Sequence, residues 1–339
     1  MNKLGSIQRK PIRLSQNHLI KPELLQPETL LPLVVQPAIE ELNLITWAAS
    51  HQEWIDTYLL QHGGILFRNF NVKHTNEFEQ FIQGIAGTLL DYSYRSTPRR
   101  QVSGKIYTST EYPATQSIPL HNEMAYSLNW PLKIWFFCVK SADQGGETPI
   151  ADSRKVFQRI APDIKEKFRQ KKVMYVRNYS DKFDLSWENV FQTKDKADVE
   201  QYCRKAGIEF EWKDGNQLRT RQVCQGIATH PTTGEKVWFN QAHLFHVSNL
   251  DPEIRQSLLG AIKEEDLPRN AYYGDGSPIE ISVLDEIRQA YQQETITFTW
   301  QNGDILMLDN MLAAHGRLPF VGSRKVLVGM ANLFEANNL

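Results

Sequence analysis

The chain has 339 residues, 41% of them hydrophobic and 23% charged, with a formal net charge of −1. That is ordinary globular material, enough for one large domain or two smaller ones. The balanced charge gives no electrostatic reason to expect a nucleic-acid partner, and no apolar run approaches the roughly 20 residues of a membrane span.

Charges and prolines occupy the N-terminus where a signal peptide has an apolar core. Cys138, Cys203 and Cys224 are widely spaced, with no CxxC pair. They fit free thiols in a reducing compartment, so a cytoplasmic protein is expected. Residues 1–40 carry scattered prolines and no sustained period, and are expected to form an extended arm over the body. Residues 41–339 then form a single domain. Trp47, Trp54, Tyr58 and Leu59 recur near helical spacing, and Gly63-Gly64 stops the run. A strand is expected at 65–67, followed by a helix from Thr75 with Phe78, Phe81, Ile82 and Ile85 on one face. Residues 91–120 read as a long polar loop carrying Arg95 and Arg99, of the kind that often binds ligands.

An aromatic-rich strand is expected at 132–139, then a Gly145-Gly146 turn, a helix capped by Asp152, and a helix with Pro162 in its first turn. Strand 173–179, helix 195–206 and strands near 218–228 and 236–240 come next, then a helix at 252–262. Ser277-Pro278-Ile279-Glu280 reads as a capping box for a helix over 278–292. Strands are expected at 295–300, 305–309 and 325–330, with an Asn302-Gly303 turn. Turn-linked strands at both ends of a helix-bearing middle point to a mainly β fold with flanking helices, a double-sheet barrel or jelly roll.

His121-Asn122-Glu123 is the stretch that carries chemistry. In a strand, positions i and i+2 share a face, so an imidazole and a carboxylate would point at one spot. One further histidine would complete the 2-His-1-carboxylate triad of non-heme Fe(II) oxygenases. The triplet alone is weak, because nine histidines and 39 acidic residues predict about one by chance. A second one, His51-Gln52-Glu53, lies in a predicted helix, where i and i+2 diverge. His230, His243, His246 and His315 are the candidates for a third ligand. Arg324 lies at the start of the last predicted strand. A planar guanidinium suits a co-substrate carboxylate, although a surface-turn arginine is the plainer reading of that residue alone.

The ordered set His121-Asn122-Glu123, Gly145-Gly146-Glu147-Thr148, Gly303-Asp304, Asp309-Asn310, His315-Gly316-Arg317 and Arg324 resembles the TauD/TfdA family of Fe(II)/2-oxoglutarate oxygenases. The likeness runs through roughly residues 45–333. Phe239–His246 and Tyr272–Pro278 resemble its SyrP-type branch, associated with non-ribosomal peptide assembly. The resemblance implies a double-stranded β-helix with His121, Glu123 and His315 as iron ligands. Thr148 and Arg324 then match the groups holding the 2-oxoglutarate carboxylate, and His243 and His246 are read as local structure. Fe(II), 2-oxoglutarate and O₂ follow as cofactors and co-substrates.

Two positions refine what is implied. Relatives acting on a small sulfonate carry a second arginine where this chain has Val328, which argues against taurine. Halogenating relatives have a small residue in place of Glu123, which argues against chloride transfer. The expected reaction is hydroxylation of an unactivated C–H bond, at the β-carbon of an amino acid, free or tethered to a peptidyl carrier protein. Arg95 and Arg99 are candidates for a substrate carboxylate or carrier-arm phosphate. Desaturation or cyclisation at the same iron, and a non-catalytic metal-binding jelly roll, are the alternatives.

Overall fold

The computed structural model describes residues 19–92, 94, 99–110, 112–180 and 185–336. Its major sheet has eight strands, in the order Ile20–Gln26, Thr29–Pro37, Gly64–Phe67, Ile305–Asp309, Asn129–Lys140, Lys325–Glu335, Ile106–Thr108 and Gln101–Ser103. A smaller sheet of Ile118–His121, Ala313–Arg317 and Ile150–Asp152 completes a jelly roll, the double-stranded β-helix. Between the two lies an apolar cluster in which Ile150 and Ala313 meet Leu66, Ile134, Phe136, Leu306 and Val328.

Asn129–Lys140 explains the uninterrupted apolar run seen in the sequence. Alternate residues of a strand face opposite sides, and here both sides are covered. Ile134, Phe136 and Cys138 enter the cluster between the sheets. Trp135 and Phe137 point the other way, toward Phe78 and Phe81 of the Thr75–Ala86 helix. The Phe78 and Phe137 rings lie 5.2 Å apart. Deleting a ring buried this completely costs about 3–5 kcal/mol.

Between Ile150–Asp152 and Ile305–Asp309 the chain builds a second layer. Its four-stranded sheet runs Glu209–Lys213, Gln217–Cys224, Val173–Tyr179, Arg269–Tyr273. Phe168, Tyr175, Trp238 and Tyr273 fill its core.

Several local expectations change. Within the stretch read as an arm, Ile20–Gln26 and Thr29–Pro37 extend the major sheet, and Leu33 pairs in parallel with Ile65. Its prolines mask the strands in sequence: Pro22 sits on the edge strand, where a missing N–H is tolerated, and Pro32 falls at the register shift between the two strands. The first helical pattern divides into Leu44–Ala49 and Gln52–His62 around Ser50-His51. The capping box does not form. Ser277 bonds Asp275 and Lys171, and the helix starts at Ile281. Residues 295–300 make only an isolated bridge, Ile150 to Ile296.

Candidate metal centre

Ile118–His121 and Ala313–Arg317 pair antiparallel with His121 directly opposite His315, the two rings 4.6 Å apart. Gly316 permits this approach, because a Cβ there would come within 2.6 Å of the Ile118 carbonyl oxygen. The space beside Gly316 is thus taken by the neighbouring strand.

Glu123 reaches the same point by another route. The strand ends at His121, so the pleat does not orient the carboxylate. Asn310 clamps it instead. Its amide oxygen accepts from the Glu123 N–H at 2.7 Å, and its NH₂ donates to the carbonyls of Glu123 and Pro131 at 2.9 and 2.8 Å. Asn122 donates in return to the Asn310 carbonyl at 2.7 Å and to the Ser153 hydroxyl. From the second layer, Gln241 donates to the Asn122 carbonyl at 2.7 Å, and His243 Nε2 lies 2.9 Å from that of Leu120. Every residue from 120 to 123 is therefore held from outside its own strand or turn.

Ligand atoms of His121, Glu123 and His315 all lie within 4.8 Å of one another, close enough to share one ion. His121 Nδ1 sits 2.8 Å from the Pro119 carbonyl, which only an N–H can satisfy, so Nε2 carries the lone pair. Burial pushes both imidazoles down, His315 far below its usual range, favouring the neutral form that binds metals.

The other candidate histidines are engaged elsewhere. His230 Nε2 lies 3.0 Å from Asp309 Oδ2, while its Nδ1 accepts from the Thr232 and Thr233 N–H groups. His246 Nδ1 accepts from the Ser248 N–H. Burial drives His243 and His246 down to about 4.

The same cavity is lined by His121, His315, Phe136, Thr148, Arg324 and Arg99. Arg324 donates from Nε to the Gly146 carbonyl at 2.8 Å, and its Nη atoms stand 3.5 Å from the Ser109 and Thr148 hydroxyls. No carboxylate among the described residues pairs with it. Burial and the neighbouring Arg317 charge push it down to about 10. A half-buried cation without a carboxylate partner is suited to an anion from outside the protein. Thr148 Oγ1 accepts from the Trp300 indole at 3.0 Å, which leaves its own proton to donate. Gly146 keeps this corner open, since a Cβ would fall 2.9 Å from Arg324 Cδ. Two histidine nitrogens and a carboxylate suit non-heme Fe(II), and the unneutralised guanidinium beside a hydroxyl suits a dicarboxylate.

Arg99 donates from Nη2 to Glu123 Oε2 at 2.7 Å, with both side chains buried. It therefore faces a candidate metal ligand. Arg95 lies outside the described residues. Asn310, Gln241, Trp300 and the Arg99–Glu123 contact were missed in the sequence. Asn310 and Gln241 carried a signal, as parts of the Asp309-Asn310 pair and the Phe239–His246 stretch, and Arg99 stood among the candidates for another role.

A model of the taurine catabolism dioxygenase TauD, TfdA family matches residues 29–331. The chain is 44% identical over 276 residues to the dapdiamide synthesis protein DdaC of Enterobacter agglomerans, covering 81% of this chain and 84% of that one. It is 30% identical over 305 residues to a clavaminate synthase-like protein of Arabidopsis thaliana, covering 87% and 89%. Among solved structures, PvcB, an Fe, alpha-ketoglutarate dependent oxygenase from an isonitrile synthetic pathway, shares the fold with a TM-score of 0.56. Its identity is 14%, over 99% of this chain and 97% of that one. The chain belongs to the TauD/TfdA family of dioxygenases, enzymes that use Fe(II), 2-oxoglutarate and O₂.

Proposed function

We propose that this oxygenase hydroxylates the β-carbon of an amino acid, free or tethered to a peptidyl carrier protein, in the synthesis of a natural product. His121, Glu123 and His315 would hold Fe(II), and Arg324 with Thr148 would hold the distal carboxylate of 2-oxoglutarate. The observation that carries this reading is the shared cavity. His121 and His315 line one space with a half-buried guanidinium that has no carboxylate partner among the described residues, and the Glu123 ligand atom lies within 4.8 Å of the two histidine nitrogens. The natural-product setting is supported by likeness to a dapdiamide synthesis protein. The amino-acid substrate is supported by the SyrP-type stretches, and one catalytic domain over 41–339 accommodates the whole site.

The bound group supplies the oxidation: O₂ and 2-oxoglutarate are converted to succinate and CO₂ while one C–H bond becomes C–OH. The chain supplies position. His121 presents Nε2 because Pro119 fixes its tautomer. The Asn310 clamp sets the direction of Glu123. Arg324 and Thr148 orient the co-substrate by charge-assisted and hydroxyl hydrogen bonds. Phe136, its ring tilted by 56° and 4.8 Å from that of His315, keeps that side dry. Arg95 is the proposed partner of a substrate carboxylate or carrier-arm phosphate; Arg99 is better suited to Glu123.

Anaerobic titration with Fe(II) and 2-oxoglutarate should produce a weak visible charge-transfer band that vanishes in Glu123→Ala. Free and carrier-bound amino acids, screened by succinate release and product mass, should then give a product heavier by one oxygen. No band, and no succinate with any candidate, would overturn the reading.

A further inference from the structure

We propose that Arg317 is a positioning residue that sets how long a 2-oxo acid the cavity accepts, by pinning the turn whose two ends wall the cavity beside Arg324. The proposal rests on the reading of Arg324 as the holder of the co-substrate's distal carboxylate. A 2-oxo acid held at the metal by one end and at Arg324 by the other spans a fixed distance. Whatever keeps the surroundings of Arg324 still therefore decides whether one more methylene fits.

Arg317 is buried, two residues beyond His315 on the same strand. Among the described residues no carboxylate pairs with it, and its guanidinium is spent on backbone carbonyls. Nη1 donates to that of Tyr112 at 3.0 Å, and Nη2 to those of Pro113 and Gln116, each at 2.7 Å. A planar fork can hold three such acceptors in one arrangement. The Phe320 N–H adds a fourth bond, to the Ala114 carbonyl at 2.9 Å. Ser109 and Thr110 enter the cavity just before this turn, and Ile118 just after it, where it pairs with Arg317 across the two strands. The Ser109 hydroxyl stands 3.5 Å from Arg324 Nη1. Phe320 closes the link, with the Arg317 guanidinium 5.2 Å and the Arg324 guanidinium 5.8 Å from the centre of its ring. Gly146 and Thr148 hold Arg324 from a separate segment. Loosening the turn would therefore leave the anchor in place and yield room on the Ser109 side alone.

The test titrates the full chain, loaded anaerobically with Fe(II), with 2-oxoglutarate and with 2-oxoadipate, which is one methylene longer, and follows the visible charge-transfer band. The wild type should favour 2-oxoglutarate by about tenfold or more, the discrimination that one methylene gives a fitted pocket. Arg317→Met should bind 2-oxoglutarate about three- to tenfold more weakly and 2-oxoadipate no more weakly than the wild type, so the ratio falls to about threefold or less. Amide hydrogen exchange over residues 114–118 should quicken in the same variant, while that of the Ile305–Asp309 strand stays as it was. Arg317→Lys keeps three donors and should recover part of the ratio. Arg317→Gln serves if the methionine variant does not fold. Equal weakening of both acids, with the ratio unchanged, is the result for an arginine that only supports the fold, and it would overturn the proposal. A wild type that binds both acids alike would do the same. The two levels of inference separate cleanly. No band with 2-oxoglutarate in the wild type defeats the co-substrate reading, whereas a normal band there with an unmoved ratio in Arg317→Met defeats only the role of Arg317.

Discussion

Two groups of side chains share the cavity and differ in how fully their polar atoms are used. Around His121, Glu123 and His315 the supporting bonds are made: Pro119 to His121, Asn310 to Glu123, Gln241 to Asn122, His243 to Leu120. At Arg324 the guanidinium rests on one good carbonyl bond and two long contacts to hydroxyls, with no carboxylate among the described residues. The first group is braced by bonds within the protein. The second is a charge whose partner must arrive. A braced donor set beside an uncompensated cation is what a resident metal and a consumed co-substrate require, because only the co-substrate must come and go.

Breaking the second group should have the largest effect. Arg324→Met should weaken 2-oxoglutarate binding by about 2–5 kcal/mol while Fe(II) binding persists, as read by separate titrations. Arg324→Lys should lose less, since it keeps the charge without the planar fork. Equal loss of metal and co-substrate affinity in Arg324→Met would erase the distinction between the groups. Breaking the brace is expected to act differently. Asn310→Ala leaves the Glu123 N–H and two carbonyls without their buried partner, so urea unfolding should show a loss of about 2–4 kcal/mol. Metal affinity should fall about tenfold with it. If stability falls and metal affinity does not, the clamp supports the fold and not the ligand.

The smallest effect is a pH dependence of the brace. His243 is buried at about 4, below its usual value of 6.5, so the unfolded chain binds more protons than the folded one between those values. Its stabilising contribution is complete above pH 6.5 and fades as pH falls toward 4. The drop in urea stability between pH 7 and 4.5 should therefore be shallower in His243→Asn than in the parent. Identical slopes would mean that this imidazole does not couple folding to protons.

Much of this site was legible before any fold was known, and unevenly so. His121, Glu123, Thr148, His315 and Arg324 stand out because imidazole, carboxylate, hydroxyl and guanidinium groups suit metal and carboxylate binding, and short motifs carry those residue types. The strands at 173–179 and 305–309 matched their patterns. In contrast, the strands at Ile20–Gln26 and Thr29–Pro37 were hidden by prolines that an edge strand and a register shift accept. The capping box at Ser277 was overridden when Asp275 and Lys171 took the serine.

By itself, the sequence determined the chemical inventory: two histidines, a glutamate, a threonine and an arginine in a fixed order, with apolar periods sufficient for a jelly roll. Only the tertiary structure decided what holds them. Asn310 meets Glu123 across 187 residues, Trp300 meets Thr148 across 152, and Gln241 meets Asn122 across 119. Arg99, expected in a long polar loop, donates to Glu123 across 24 residues. Periodicity records which face a residue shows, and a motif records what chemistry it offers. Neither records which distant backbone atom will stand 2.7 Å away, because strand register and the packing of the second layer set that distance.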